Sequence, residues 1–262
     1  MYIFSTPSFQ IFVILCKSVL SNSYNLLGSK SLYIGYCLCI INNLSIISHV
    51  FKKAEETNIG EVVVATEDQE ILDDVEKNGG RAVLTSNTHK TGTDRIFEAY
   101  EKLNIKDIDF ILNLQGDEPN IDKNDIINLN NFMINNNSEI GTLAAEIKSD
   151  KMLNDQNVVK VITEAKLEKN NFPIALNFTR DSFSKNNKNI YHHIGIYSYK
   201  TSILKKFVSL DQTLSEKQNK LEQLRALDNN LKISVALANF SPIGVDTKED
   251  YLAIKKIMEY KS

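Results

Sequence analysis

Three apolar, β-branched runs alternate with amphipathic helical stretches between Glu61 and Gln115, and the short connections between them constrain the fold most. Glu61-Val62-Val63-Val64-Ala65 reads as a buried strand. Thr66-Glu67-Asp68 opens a helix with Ile71 and Val75 on one face, which Gly79-Gly80 ends. Ala82-Val83-Leu84 is a second strand. Thr93-Asp94 begins a helix presenting Ile96, Phe97 and Tyr100, and Phe110 to Leu114 is a third strand. Strands joined by helices run parallel, so the predicted fold class is α/β, a doubly wound, mostly parallel sheet covered by helices.

Ligands of such sheets bind beyond the carboxyl ends of the strands. The third strand ends there in Gln115-Gly116-Asp117-Glu118-Pro119, two carboxylates and a proline after an apolar run. Asp246, in Gly244-Val245-Asp246-Thr247, follows a later predicted strand, Ile233 to Ala238, and precedes a helix over Lys248 to Tyr260. Two acids at strand ends can hold Mg²⁺ against substrate phosphates; the alternative is that each caps the next helix.

The region between is richer in strands. Gly141 to Ile147, Val158 to Thr163, Phe172 to Phe178 and His193 to Tyr199 alternate or run apolar, with a polar loop over Ser184 to Asn189. A helix is predicted over Leu214 to Leu227. No linker or repeat divides the chain. The expectation is one domain over residues 38–262 with a β-rich extension at about 140–212.

Composition narrows the function. The net charge of −3 argues against a broad nucleic-acid face. No apolar run reaches the roughly 20 residues of a membrane span. Ile11 to Cys16 is apolar but has no Lys or Arg before it, so it lacks the charged start of a secretory signal. A cytoplasmic protein is expected, with Cys16, Cys37 and Cys39 as reduced thiols. Lysine outnumbers arginine 26 to 4, which makes each arginine informative, because only arginine offers a planar fork of donors.

Three more segments could carry chemistry. Thr91-Gly92-Thr93-Asp94-Arg95 stands at a helix start, where exposed N–H groups and small hydroxyl residues suit a nucleotide, or simply cap the helix. In His193-Ile194-Gly195-Ile196-Tyr197, alternation places His193, Gly195 and Tyr197 on one strand face, an arrangement suited to a polar ligand such as a sugar. Glu222 and Arg225, at i and i+3 on the predicted helix, read as a solvent-facing ion pair.

Eight segments in order resemble the 3-deoxy-manno-octulosonate cytidylyltransferases (CMP-Kdo synthetases). They are Val63 to Asp68, Thr91 to Arg95, Asn113 to Pro119, Asn157 to Val161, Phe178-Thr179-Arg180, His193 to Tyr197, Leu221 to Arg225 and Gly244 to Thr247, within about residues 38–260. The resemblance implies a nucleotidyltransferase (Rossmann-like) sheet with a β-rich dimerisation extension, and a homodimer that joins CTP and Kdo. It implies Asp117 and Asp246 as Mg²⁺ ligands and Thr91, Gly92, Thr93 and Arg95 near the cytidine. It places Gln115, Arg180, His193, Tyr197, Glu222 and Gln223 around the sugar acid, with Arg180 clamping its carboxylate. A related sugar acid such as 8-amino-Kdo or a sialic acid, or a folded relic that binds without turnover, are the alternatives.

The chain departs from the family at its start. The family opens with a strand and a basic loop that grips the CTP phosphates. Here Ile11 to Leu15 could supply the strand, but residues 1–37 hold no Arg, Asp or Glu and only Lys17 and Lys30 as cations. This segment reads as atypical, as a shifted reading frame at the gene start would make it. A triphosphate needs several directed donors.

Overall fold

The computed structural model describes residues 36–89, 91–184 and 188–260, and the backbone of 9–15. The chain forms two compact units, one mainly from residues 107–112 and 122–241, the other from 11–106, 113–121 and 242–262. The phosphate-loop expectation, with Lys17 and Lys30, lies outside the described residues.

The second unit holds the predicted alternation. Its strand β1 (Phe9–Leu15) runs where the sequence offered a first strand. A tight hairpin follows, β2 (Ile40–Ile41) and β3 (Leu44–Ser45), turned by Asn42 and Asn43 at φ of 48° and 62°. Asparagine tolerates this left-handed backbone, which suits a two-residue hairpin turn. Then come α1 (Ile46–Glu55), β4 (Glu61–Thr66), α2 (Gln69–Lys77), β5 (Ala82–Leu84), α3 (Gly92–Leu103) and β6 (Ile108–Gln115). β1 pairs parallel with β4, from Ile11 opposite Glu61 to Leu15 opposite Ala65, and β4 pairs parallel with β5. β6 lies beside β1.

The helices form where the apolar spacing puts them. Ser45 caps α1 by accepting from the Ser48 amide, and Ile46, Ile47, Val50, Phe51 and Ala54 are buried. Gly80 is required after α2, because a Cβ there would lie 2.7 Å from Val75 and 2.9 Å from Phe51.

The other unit takes the first residues of β6 and continues through α4 (Lys123–Asn136), β7 (Ile140–Ala145), α5 (Asp150–Asn154), β8 (Lys160–Thr163), β9 (Ala175–Thr179), β10 (Ile190–Lys200), α6 (Thr201–Val208), α7 (Leu214–Asn219), α8 (Leu224–Asp228) and β11 (Ile233–Leu237). β11 pairs parallel with β7, whereas β10 runs antiparallel to β7 and to β8, and β8 antiparallel to β9. Pairing is therefore mixed, parallel where strands and helices alternate and antiparallel in the extension. A final helix, α9 (Lys248–Glu259), returns to the second unit. There Ile254 joins Ile41, Ile46 and Val245 in one apolar cluster, and the Tyr251 hydroxyl donates to the Ile40 carbonyl at 2.8 Å.

Two expectations are corrected. The predicted helix over Leu214 to Leu227 is two short helices, α7 and α8, broken at Lys220, whose φ is 53°. The break lets the buried Arg225 reach back to Glu216. Nor are all the cysteines reduced: Cys37 is in a disulfide, while Cys39 is free.

Candidate active site

In the second unit, Asp117 and Asp246 stand on two loops that are stitched together. The Val245 amide donates to the Asp117 carbonyl at 3.0 Å, and the Ile243 amide donates to Asn120 Oδ1 at 2.9 Å. Gly244 faces the Asp117 carboxylate, because a Cβ on it would lie 4.0 Å from Oδ2. The sequence brought neither loop near the other; the main-chain and Asn120 hydrogen bonds between them do. Among the described residues no group of three or more His, Cys, Asp or Glu side chains is placed to hold a metal. A two-carboxylate set still fits Mg²⁺, which is held by one or two protein carboxylates with substrate oxygens and water completing the octahedron.

Thr91 caps α3 by accepting from the Asp94 amide at 3.3 Å, and Gly92 and Thr93 form the first turn. Arg95 does not project freely from this turn. It is 8% exposed, donates to Thr85 Oγ1 at 2.7 Å and to the Ser86 carbonyl at 3.3 Å, and forms an ion pair with Glu67. The guanidinium thus ties three segments at the carboxyl ends of β4 and β5, and no local pattern marks Glu67, 28 residues earlier, as its partner. Gln115, also in this unit, is the last residue of β6 and is half-buried.

In the first unit, His193 and Tyr197 meet on β10 with ring centroids 5.4 Å apart. They do so across a β-bulge, since the register with β7 shifts between Ile194 and Tyr197. Both rings are 8% exposed. Thr142 on β7 organises them. Its hydroxyl donates to the Ile196 carbonyl at 2.7 Å, so His193 Nε2, 3.1 Å from Thr142 Oγ1, is the donor in that contact and Nδ1 is left as an acceptor. Burial, with the neighbouring His192, pulls the His193 pKa down to about 3, and burial pushes the Tyr197 phenol well above its ordinary value. Both are therefore neutral near pH 7. The Tyr197 hydroxyl is buried without a hydrogen-bond partner among the described residues, which a native interior avoids unless something else satisfies it.

Arg180, just past β9, donates through Nη1 to the carbonyls of Asn157 (2.9 Å) and Gln156 (3.3 Å). Nη1 has no further hydrogen to give, so the guanidinium edge formed by Nε and Nη2 remains for a planar anion. Glu222 and Gln223 lie in the turn between α7 and α8. The solvent-facing Glu222–Arg225 pair is corrected here. Arg225 is 2% exposed and grips Glu216 bidentately at 2.9 and 2.6 Å, with its guanidinium 4.7 Å over the Phe207 ring, while Glu222 stands 3.9 Å away. Thr142 and Lys160 were missed in the sequence, though each is a polar residue inside an apolar strand run.

A parallel α/β unit whose Asp117 and Asp246 loops are joined by a main-chain hydrogen bond is the architecture expected of a nucleotidyltransferase. The fold is shared with 4-diphosphocytidyl-2C-methyl-D-erythritol synthase from Anaerococcus prevotii at a TM-score of 0.64 and 12% identity, over 97% of this chain and 100% of that one. A family model described as Cytidylyltransferase matches residues 34–233, and the chain belongs to that family. It is 42% identical to a 3-deoxy-manno-octulosonate cytidylyltransferase from Thermodesulfovibrio yellowstonii, over 86% of this chain and 92% of the relative. It is 39% identical to the protein of that description from Rhodopseudomonas palustris, with the same coverage. A solved CMP:2-keto-3-deoxy-manno-octonic acid synthetase complexed with CTP superposes with a TM-score of 0.83 at 29% identity, covering 97% of this chain and all of that one. The chain is a nucleotidyltransferase enzyme.

Proposed function

We propose that the chain transfers CMP from CTP to 3-deoxy-manno-octulosonate (Kdo), giving CMP-Kdo and pyrophosphate, with Mg²⁺ held by Asp117 and Asp246. The observation that supports this best is the stitching of the Asp117 and Asp246 loops within a fold matched to a CTP-bound synthetase. The names of the relatives favour Kdo over the other sugar acids.

The anomeric hydroxyl of Kdo attacks the α-phosphorus of CTP, the bond to the β-phosphate oxygen breaks, and no covalent intermediate with the protein is needed. Rate enhancement is then positioning plus stabilisation of developing charge. Bound Mg²⁺ supplies charge neutralisation at the phosphates and a lower pKa for the attacking hydroxyl. Thr91 to Arg95 hold the cytidine, with Arg95 kept in place by Glu67. The Nε–Nη2 edge of Arg180 takes the Kdo carboxylate as a bidentate pair. His193 and Tyr197, both neutral, exchange hydrogen bonds with sugar hydroxyls without adding charge, and Glu222 and Gln223 of the same unit add polar groups for the sugar acid. The product is the activated sugar for lipopolysaccharide synthesis in the cytoplasm. No described helix is long and apolar enough to cross a membrane. A homodimer through the β-rich extension is supported by β9, which among the described strands pairs with β8 on one side and leaves Leu176 60% exposed.

The test is pyrophosphate release from the full chain with CTP, Kdo and Mg²⁺. Asp117→Ala should lower kcat by about 10²–10³-fold, the loss typical of removing a group that stabilises transition-state charge. Release that is unchanged in Asp117→Ala, or no release from the parent chain, would refute the reading.

A further inference from the structure

Lys160 opens β8 inside the segment Asn157-Val158-Val159-Lys160-Val161, and its residue exposure is 0%. A fully buried ammonium demands compensation. Among the described residues no carboxylate forms an ion pair with it; its Nζ donates instead to two backbone carbonyls, Asp155 at 2.6 Å and Arg180 at 3.3 Å. Asp155 and Asp181 supply attraction only from farther off, and burial holds the pKa below the ordinary lysine value. Methionine would fill the same space without the desolvation cost, so the charge needs a reason.

The two carbonyls suggest one. Asp155 begins the turn whose next two carbonyls, those of Gln156 and Asn157, accept from Arg180 Nη1. Lys160 therefore grips the backbone at both ends of one arrangement: the residue that carries the guanidinium and the turn that orients it. Both segments are otherwise loop, since β9 ends at Thr179 and α5 at Asn154. Without the ammonium, Nη1 would still find acceptors, but their position would no longer be fixed relative to the Arg180 backbone.

We propose that Lys160 is a positioning residue that sets the Arg180 guanidinium for the carboxylate of the acidic sugar. This rests on the reading of Arg180 given above. Its contribution passes through Arg180, so its loss weakens the acidic substrate selectively and leaves the nucleotide unaffected.

The experiment is a double-mutant cycle on the full chain, reading KM for Kdo and for CTP by pyrophosphate release, with thermal unfolding of each variant. Lys160→Met should raise the Kdo KM about tenfold, in keeping with loss of charged hydrogen bonds, and leave the CTP KM within about twofold. In the Arg180→Ala background the same substitution should add nothing to the Kdo KM, because residues acting as a unit are non-additive. If Lys160→Met is insoluble, Lys160→Gln, which keeps one donor, is read in the same cycle. Multiplying effects, or a fall in melting temperature with an unchanged Kdo KM, would overturn the role of Lys160 while leaving Arg180 as the clamp. An Arg180→Ala variant with an unchanged Kdo KM would instead overturn the reading of Arg180 and, with it, that of Lys160.

Discussion

Replacing Arg225 by methionine removes a guanidinium that is 2% exposed and abandons the Glu216 carboxylate, 3% exposed, within the α7–α8 corner. Two hydrogen bonds of 2.9 and 2.6 Å are lost, with the contact on the Phe207 ring. Glu216 keeps the Gln212 side chain at 3.2 Å and the Thr213 amide at 3.3 Å, neither of which neutralises it. Breaking a buried pair from one side costs about 3–5 kcal/mol, because an uncompensated charge stays inside. At about 2–4 °C per kcal/mol for a chain of this size, the melting temperature should fall by roughly 6–20 °C. The assay is thermal unfolding by circular dichroism at pH 7. Adding Glu216→Gln should recover much of the loss by removing the stranded charge, and the recovery separates electrostatics from simple repacking. A fall below about 2 °C, or no recovery in the double variant, would refute the reasoning.

Three further outcomes are expected. Asp125, whose carboxylate accepts from the amide and side chain of Asn239, has its pKa raised by burial to about 6; its contribution to stability should be fullest below the ordinary aspartate pKa and lost as pH rises through about 6, and a ¹³C carboxyl titration with a midpoint below 4.5 would contradict this. His193, with its pKa lowered to about 3, favours the folded state above the ordinary histidine value and loses that contribution as pH falls toward 3; its ring resonances should stay fixed from pH 8 to 4.5, and a titration near 6.5 would contradict its burial. Gly141→Ala should destabilise by about 1–3 kcal/mol through overpacking, since the new Cβ would meet Met133 at 2.5 Å, Phe172 at 2.9 Å and Leu129 at 3.0 Å; an unchanged denaturation midpoint would contradict it.

The alternating elements were legible because each depends on residues close in sequence. The predicted strand Glu61 to Ala65 is β4 less its final threonine, and the helix opened by Thr66-Glu67-Asp68, with Ile71 and Val75 on its apolar face, is α2. Asp117 was placed just past the carboxyl end of β6 for a related reason: a Gly-Asp step closing an apolar run is a local signal. Lys160 and Thr142 offered weaker signals of that sort and were passed over.

What the tertiary structure alone decided rests on residues far apart in the chain. The meeting of the Asp117 and Asp246 loops spans 129 residues and is made by hydrogen bonds between the loops themselves, which no local pattern encodes. The bulge that brings His193 and Tyr197 over Thr142 depends on the β7–β10 register. The i and i+3 spacing of Glu222 and Arg225 suggested a surface pair, but the turn at Lys220 folds Arg225 inward to Glu216. Periodicity fixes which face of an element is apolar. Which buried charge meets which partner is decided only when the elements pack, because the cost of an unpaired charge is incurred only once water has been excluded.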